Sequence, residues 1–115
     1  MYQFSYADIQ TDSVAEARDR ERQLLSRSID MLMAASAAGP ASREAVEALH
    51  FTMRVWTAHL DDLGSSDNVL PKELRANLIS IGLWVLREAE NIRQGRTSDF
   101  QGIIEISQII RDGIQ

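Results

Sequence analysis

Residues 70–95 read LPKELRANLISIGLWVLREAENIRQG, a stretch with a helix start, a helix stop and more apolar surface than one helix face can hold. Pro71 suits a first helical position, and Glu73 sits well against the positive end of the helix dipole. Gly95 stops the helix just after Arg93 and Gln94. At about 100° per residue, Leu74, Leu78, Ile81, Val85, Ala89 and Ile92 form one stripe, and Ala76, Ile79, Leu83 and Leu86 form a second on a different side. Trp84 projects in a third direction. A helix this apolar is not a one-faced surface helix. It either runs through the middle of a bundle or shows apolar surface that another molecule covers. Gly82 either lets something approach the backbone closely or is a plain packing glycine.

The neighbouring segments are helical as well. A helix from about Arg43 to Leu63, capped by Ser42, carries Val46, Leu49, Met53, Trp56, Leu60 and Leu63 at spacings of three and four, a bundle seam. On that seam Trp56 reads as a core anchor whose indole N–H reaches a polar neighbour. An earlier helix runs from about Ser13, capped by Asp12 or Ser13, to Ala38, where SAAGP ends it at Gly39 and Pro40. Its first half, EARDRER, is a solvated face, and Leu25, Ile29, Leu32, Met33 and Ser36 dock its second half. The last helix starts at SDFQ, where Ser98 and Gln101 have the spacing of a capping box, and runs to about Arg111 before Gly113. Phe100, Ile103, Ile104, Ile106, Ile109 and Ile110 cover more than half of its circumference. Five isoleucines also suit a strand, but the capping box, the glycine stop and the length favour a helix. The expected fold is all-α, a small bundle of about four helices. It forms a single helical domain over residues 1–115, with residues 1–12 as a loosely docked N-terminal segment. In that segment Tyr2, Phe4, Tyr6 and Ile9 either cover the end of the bundle or await a partner.

Charge and composition exclude several functions. A net charge of −5 and a pI near 4.9 argue against nucleic acid and anionic membranes, which select basic faces. The absence of cysteine removes disulfides and thiolate chemistry and fits a reducing compartment. Residues 1–12 lack the pattern of a signal peptide, and no apolar run reaches the roughly 18 residues of a membrane span, so the expectation is a soluble, cytoplasmic chain. His50 and His59 are nine positions apart, not at the i, i+4 spacing of a helical metal pair, and DDLGSSDN lacks the alternating oxygen ligands of a calcium loop. Asp61 and Asp62 are adjacent and point apart, and no phosphate loop or nucleophile elbow is present. The chain is therefore expected to be no enzyme and to hold no cofactor or metal. Helix-turn-helix binding is disfavoured too, because Arg75, Arg87 and Arg93 are balanced by Glu73, Glu88 and Glu90 on the third helix, and the fourth has only Arg111.

The run NVLPKELRANLISIGLWVLREAENIRQG, followed by IIEISQIIRDGI and preceded by the Trp56 helix, resembles the alphaproteobacterial flagellar biosynthesis regulator FlaF family. The resemblance covers about residues 45–114. Its most specific part is the pattern of Asn68, Leu70, Pro71, Leu74, Arg75, Ala76, Ile79, Ser80, Ile81, Trp84 and Val85.

That resemblance implies a small, cytoplasmic, non-enzymatic factor of flagellin production or export that opposes the flagellin-expression repressor FlbT. Flagellin termini are amphipathic helices that would self-associate before export, and surplus apolar surface on two helices can cover them by helix-in-groove docking. The expectation is a secretion chaperone that binds flagellin and thereby positively regulates its synthesis and export. Its contacts are expected at Arg75, Ile79, Leu83, Trp84, Leu86, Arg87, Ile106 and Ile109. Two alternatives stand beside it. One is a post-transcriptional regulator acting through FlbT or the translation machinery without holding flagellin; the other is a structural homodimer that uses the extra apolar surface itself.

Overall fold

The computed structural model describes residues 6–114, with side chains from residue 14 onward. Four helices follow one another: α1 (Tyr6–Ala38), α2 (Arg43–Gly64), α3 (Lys72–Arg93) and α4 (Gln101–Gly113). No strand occurs among the described residues. The all-α expectation therefore holds, with corrections at the helix ends.

Helix α1 begins by Tyr6 and not near Ser13. A mid-helix Asp or Ser costs only about half a kcal/mol relative to Ala, so Asp12 and Ser13 do not interrupt it. Tyr2 and Phe4 lie outside the described residues. At the start of α2, Ser42 Oγ accepts from the Ala45 N–H at 3.1 Å and donates to the Gly39 carbonyl at 2.6 Å. One hydroxyl thus ends one helix and starts the next. Pro71 stands just before the first residue of α3. Gly95, at φ +75°, closes α3: its N–H bonds the Ile92 carbonyl at 3.0 Å, and the Arg96 N–H bonds the Asn91 carbonyl at 2.9 Å. Only a residue that tolerates positive φ without strain closes a helix this way. The capping box expected at Ser98 is not formed. Asp99 displaces it, its carboxylate accepting from the Gln101 N–H at 2.9 Å.

Helices α1 and α2 are antiparallel and pinned by a buried bond between the Ser28 and Thr52 hydroxyls at 2.7 Å. Helix α2 carries α1 on one side and α3 on the other, while α4 lies on α1 and barely meets α3. The packing order is therefore α3–α2–α1–α4, with α1 and α2 inside and α3 and α4 outside. The two-sided apolar character of α3 is not explained by a central position.

Burial corrects the expected seams. Leu49, Trp56 and Leu63 are buried as predicted, but Ala45, Ala48 and Thr52 share that face, whereas Val46 is 66% exposed. The reason is register. Leu60 packs on Gly82, where an added Cβ would lie 2.8 Å from Leu60 Cδ2. Counting back along the antiparallel pair, Val46 falls beyond the last residue of α3. On α1, Leu25, Ile29 and Leu32 are buried with Ser28 and Ala35, while Met33 and Ser36 are exposed. Ser36 lies opposite the first turn of α2, at the end of the bundle.

The buried residues are unevenly placed along the molecule. They fall in residues 25–35, 45–56, 82–92 and 100–107, and at the other end only Leu63 joins them among the described residues. The Cα extents of 57 × 33 × 18 Å and a radius of gyration of 16.3 Å reflect the 33-residue α1, which alone spans about 50 Å. A compact chain of this length has a radius of about 13 Å, so the molecule is elongated; its buried residues gather towards one half, and the other half is more open.

Candidate functional site

The open half contains a cleft between α3 and α4. These two helices run antiparallel and meet chiefly where the Trp84 ring lies against Gly102; a Cβ there would sit 3.1 Å from Trp84 Cη2. The absence of a side chain at Gly102 lets the indole bridge the two helices while remaining 38% exposed.

Two recesses follow one another along this line. The first, about 440 Å³, is walled by Ser80, Ile81 and Trp84 from α3 and by Gly102, Glu105, Ile106 and Ile109 from α4. The second, about 510 Å³, lies deeper, with Trp56 and Leu63 of α2 among its lining. Leu70, Leu74 and Leu78 form one wall of it, and Ile109, Ile110 and Ile114 the other. Arg18, Glu21, His59 and Asp62 supply its polar edge. Ile109 belongs to both recesses and is 64% exposed, a ridge between them.

The wall on the α3 side is set by the loop before it. Asn68 Oδ1 accepts from the Leu70 N–H at 3.0 Å, and the Arg75 guanidinium donates to the Asn68 carbonyl at 3.3 Å. Asn68 Nδ2 also reaches the Asp62 carboxylate at 3.3 Å. Asn68 and Arg75 therefore hold Leu70 and the first turn of α3 in place. These bonds account for part of the distinctive 68–85 pattern.

Of the eight contact residues expected from sequence, the structure brings Trp84, Ile106 and Ile109 together in the cleft. Arg75 is engaged with the loop. Leu86 is half-buried against the core. Ile79 is half-buried, while Leu83, 51% exposed, and Arg87 lie on the solvent side of α3; none of the three lines either recess. Leu74, Leu78 and Ile81, on the first apolar stripe of the sequence, also line the cleft, and Leu74 is 44% exposed. Gly102, at the start of an isoleucine-rich helix, was the available signal for a close approach there.

Trp56 is 1% exposed, as a core anchor should be, but the polar neighbour expected for its indole N–H is missing. No acceptor among the described residues reaches Nε1. The His59 ring meets the indole edge-on, with centroids 5.5 Å apart and planes at 63°, so it offers a ring contact in place of a hydrogen bond. His59 Nδ1 itself stands 3.9 Å from the Glu21 carboxylate. Outside the cleft, the Arg93 guanidinium and then the Gln94 amide hydrogen-bond Glu90, holding its carboxyl down to about 2 at the end of α3. The described residues contain no group of three or more His, Cys, Asp or Glu side chains placed to hold a metal. Among them, no helix is long and apolar enough to cross a membrane.

A small all-α chain with an apolar cleft between two of its helices is thus defined by the fold. The family model described as flagellar protein FlaF matches residues 2–114, and the chain belongs to that family. The match takes in the N-terminal third, where the sequence offered few distinctive residues. No curated protein and no solved structure matches the chain.

Proposed function

We propose that this chain is a cytoplasmic flagellin chaperone, which docks an amphipathic helix of flagellin in the α3–α4 cleft and hands it on for export. The observation that carries this reading is the separation of α3 from α4 over apolar walls, with Trp84 and Ile109 open to solvent in a flagellar protein. A helix laid along them covers those walls beyond the single Trp84–Gly102 contact that α3 and α4 make with each other. Apolar surface of this kind attracts other chains when left bare. By occupying flagellin, the protein also promotes its synthesis and export, and FlbT enters as the opposing factor. The acidic net charge of −5 disfavours direct capture of flagellin messenger RNA.

The test is co-expression with flagellin followed by pull-down and light scattering. A complex of defined mass that survives purification supports the reading. A chain that leaves flagellin behind and elutes as a dimer replaces it with the homodimer.

A further inference from the structure

This inference rests on the flagellin-docking reading and deepens it. We propose that the docked flagellin helix runs on past the α4 wall and is held at the open end of the bundle by Val69 of the α2–α3 loop and Val14 of α1. A lone exposed valine is ordinary on a protein surface; these two differ in their placing. Val69 is 94% exposed, yet its loop is tied down on both sides. The Ser65 carbonyl and hydroxyl accept from the Asn68 and Asp67 N–H groups at 3.2 Å each, and the Asn68 and Arg75 bonds fix the residue that follows, Leu70. Leu70 lines the larger recess, so Val69 continues that wall outward.

Val14 does the same on α1. It stands a whole number of turns before Leu25 and Leu32, both fully buried, and so lies on the core-facing stripe of that helix. Counting from the Ser28–Thr52 bond along the antiparallel pair, the end of α2 at Gly64 falls level with Glu16, so α2 no longer covers Val14, which is 50% exposed. One turn further on, Arg18 lines the recess. A β-branched side chain on an ordered backbone has little rotamer freedom to lose, so both valines meet a partner at low entropic cost. The rim carries Arg18 as well as Glu21 and Asp62, with His59 beside Glu21, so both charge signs are present and apolar contact does the selecting at this end. The α4 wall from Gly102 to Gly113 measures about 16 Å, three helical turns, whereas α3 from Trp84 back to Lys72 measures about 18 Å and Val69 lies beyond it. The seat therefore takes four turns or more, the last of them resting on the two valines.

Val69→Asp and Val14→Asp in the full chain test this by calorimetric titration with flagellin. Both positions are open to solvent, so both variants should keep the circular dichroism and melting temperature of wild type, and each should bind flagellin about tenfold more weakly or worse. If Val14→Asp loses helicity, Val14→Ser takes its place. A photo-crosslinking residue placed at Val69 should mark flagellin at least one helical turn away from the residues marked from position 109. Wild-type affinity in either variant, or no cross-link from position 69, overturns the inference; loss of capture in Ile109→Asp then shows that the chaperone reading still stands. A free protein that elutes as a dimer and becomes monomeric in Val69→Asp gives these valines to a second copy of the chain and overturns it too. If wild type captures no flagellin, the functional reading falls and this inference with it.

Discussion

Two glycines and one tryptophan show how single residues set the geometry of this bundle. Gly82 brings α3 down onto Leu60 of α2, and Gly102 brings the Trp84 ring onto α4. The two sites differ in what can yield. Leu60 is half-buried between packed helices, so Gly82→Val overpacks the α2–α3 contact and should cost about 1–3 kcal/mol in a urea melt. Trp84 is 38% exposed and can swing outward, so Gly102→Ala should leave the urea midpoint unchanged or raise it, because Gly is worth about 1 kcal/mol less than Ala in a helix. Trp56→Ala is the severe case: it empties a fully buried site and should cost about 3–5 kcal/mol, and a melting temperature within a few degrees of wild type would place Trp56 outside the core. Glu90 has a definite pH signature. Its carboxyl is lowered in the folded state by the Arg93 hydrogen bond, so its contribution is present above the ordinary carboxylate range and is lost as pH falls towards about 2. Arg93→Ala should return the Glu90 titration, followed by carboxyl NMR, towards the ordinary range. The exposed position of the pair keeps the effect on the melting temperature small.

At the level of elements, exposure and position separate the two apolar flanks of α3. Leu83 faces solvent away from both recesses, whereas Ile109 on α4 belongs to both. A charge is tolerated on an exposed position and forbidden inside an apolar interface. Ile109→Asp should therefore keep the helical circular dichroism of wild type and lose flagellin in a pull-down, whereas Leu83→Asp keeps both. Loss of capture in Leu83→Asp with the fold intact would move the docking surface to the Ile79 and Leu83 side. Much of this was legible in the residues. The apolar excess of 70–95, the Ser42 cap, the Gly95 stop and the Trp56 anchor depend on local periodicity and end chemistry, which a sequence displays directly. The cleft was legible only as a surplus. Which helices lie inside depends on how α2, α3 and α4 pair across long separations, and the spacing of Leu74, Leu78 and Ile81 is the same whether another helix of this chain or a partner lies over them. The Ser98 box failed for a local reason: Asp99, one residue nearer, reached the Gln101 N–H first.

Over the whole molecule, the uneven core predicts uneven stability. Local opening costs least where few apolar contacts are buried. Before Gly82, α3 has no buried residue, and α1 has none before Leu25 among those whose side chains are described. Hydrogen exchange of the free protein should therefore be slowest in residues 25–35, 45–56 and 85–92 and much faster in residues 14–22, in the first half of α3 and at the end of α4. The chaperone reading adds a directional expectation, because a helix seated between α3 and α4 orders the walls it touches. On adding flagellin, protection should rise across residues 70–84 and 102–114 and change little in residues 25–35, whose amides are already closed by the core. Salt should act weakly on this complex, since its contacts are mainly apolar, whereas capture of RNA by a chain of charge −5 would show steep salt dependence. Protection confined to residues 14–22, with the α3 and α4 walls still exchanging as in the free protein, would remove the cleft as the flagellin seat and put α1 in its place.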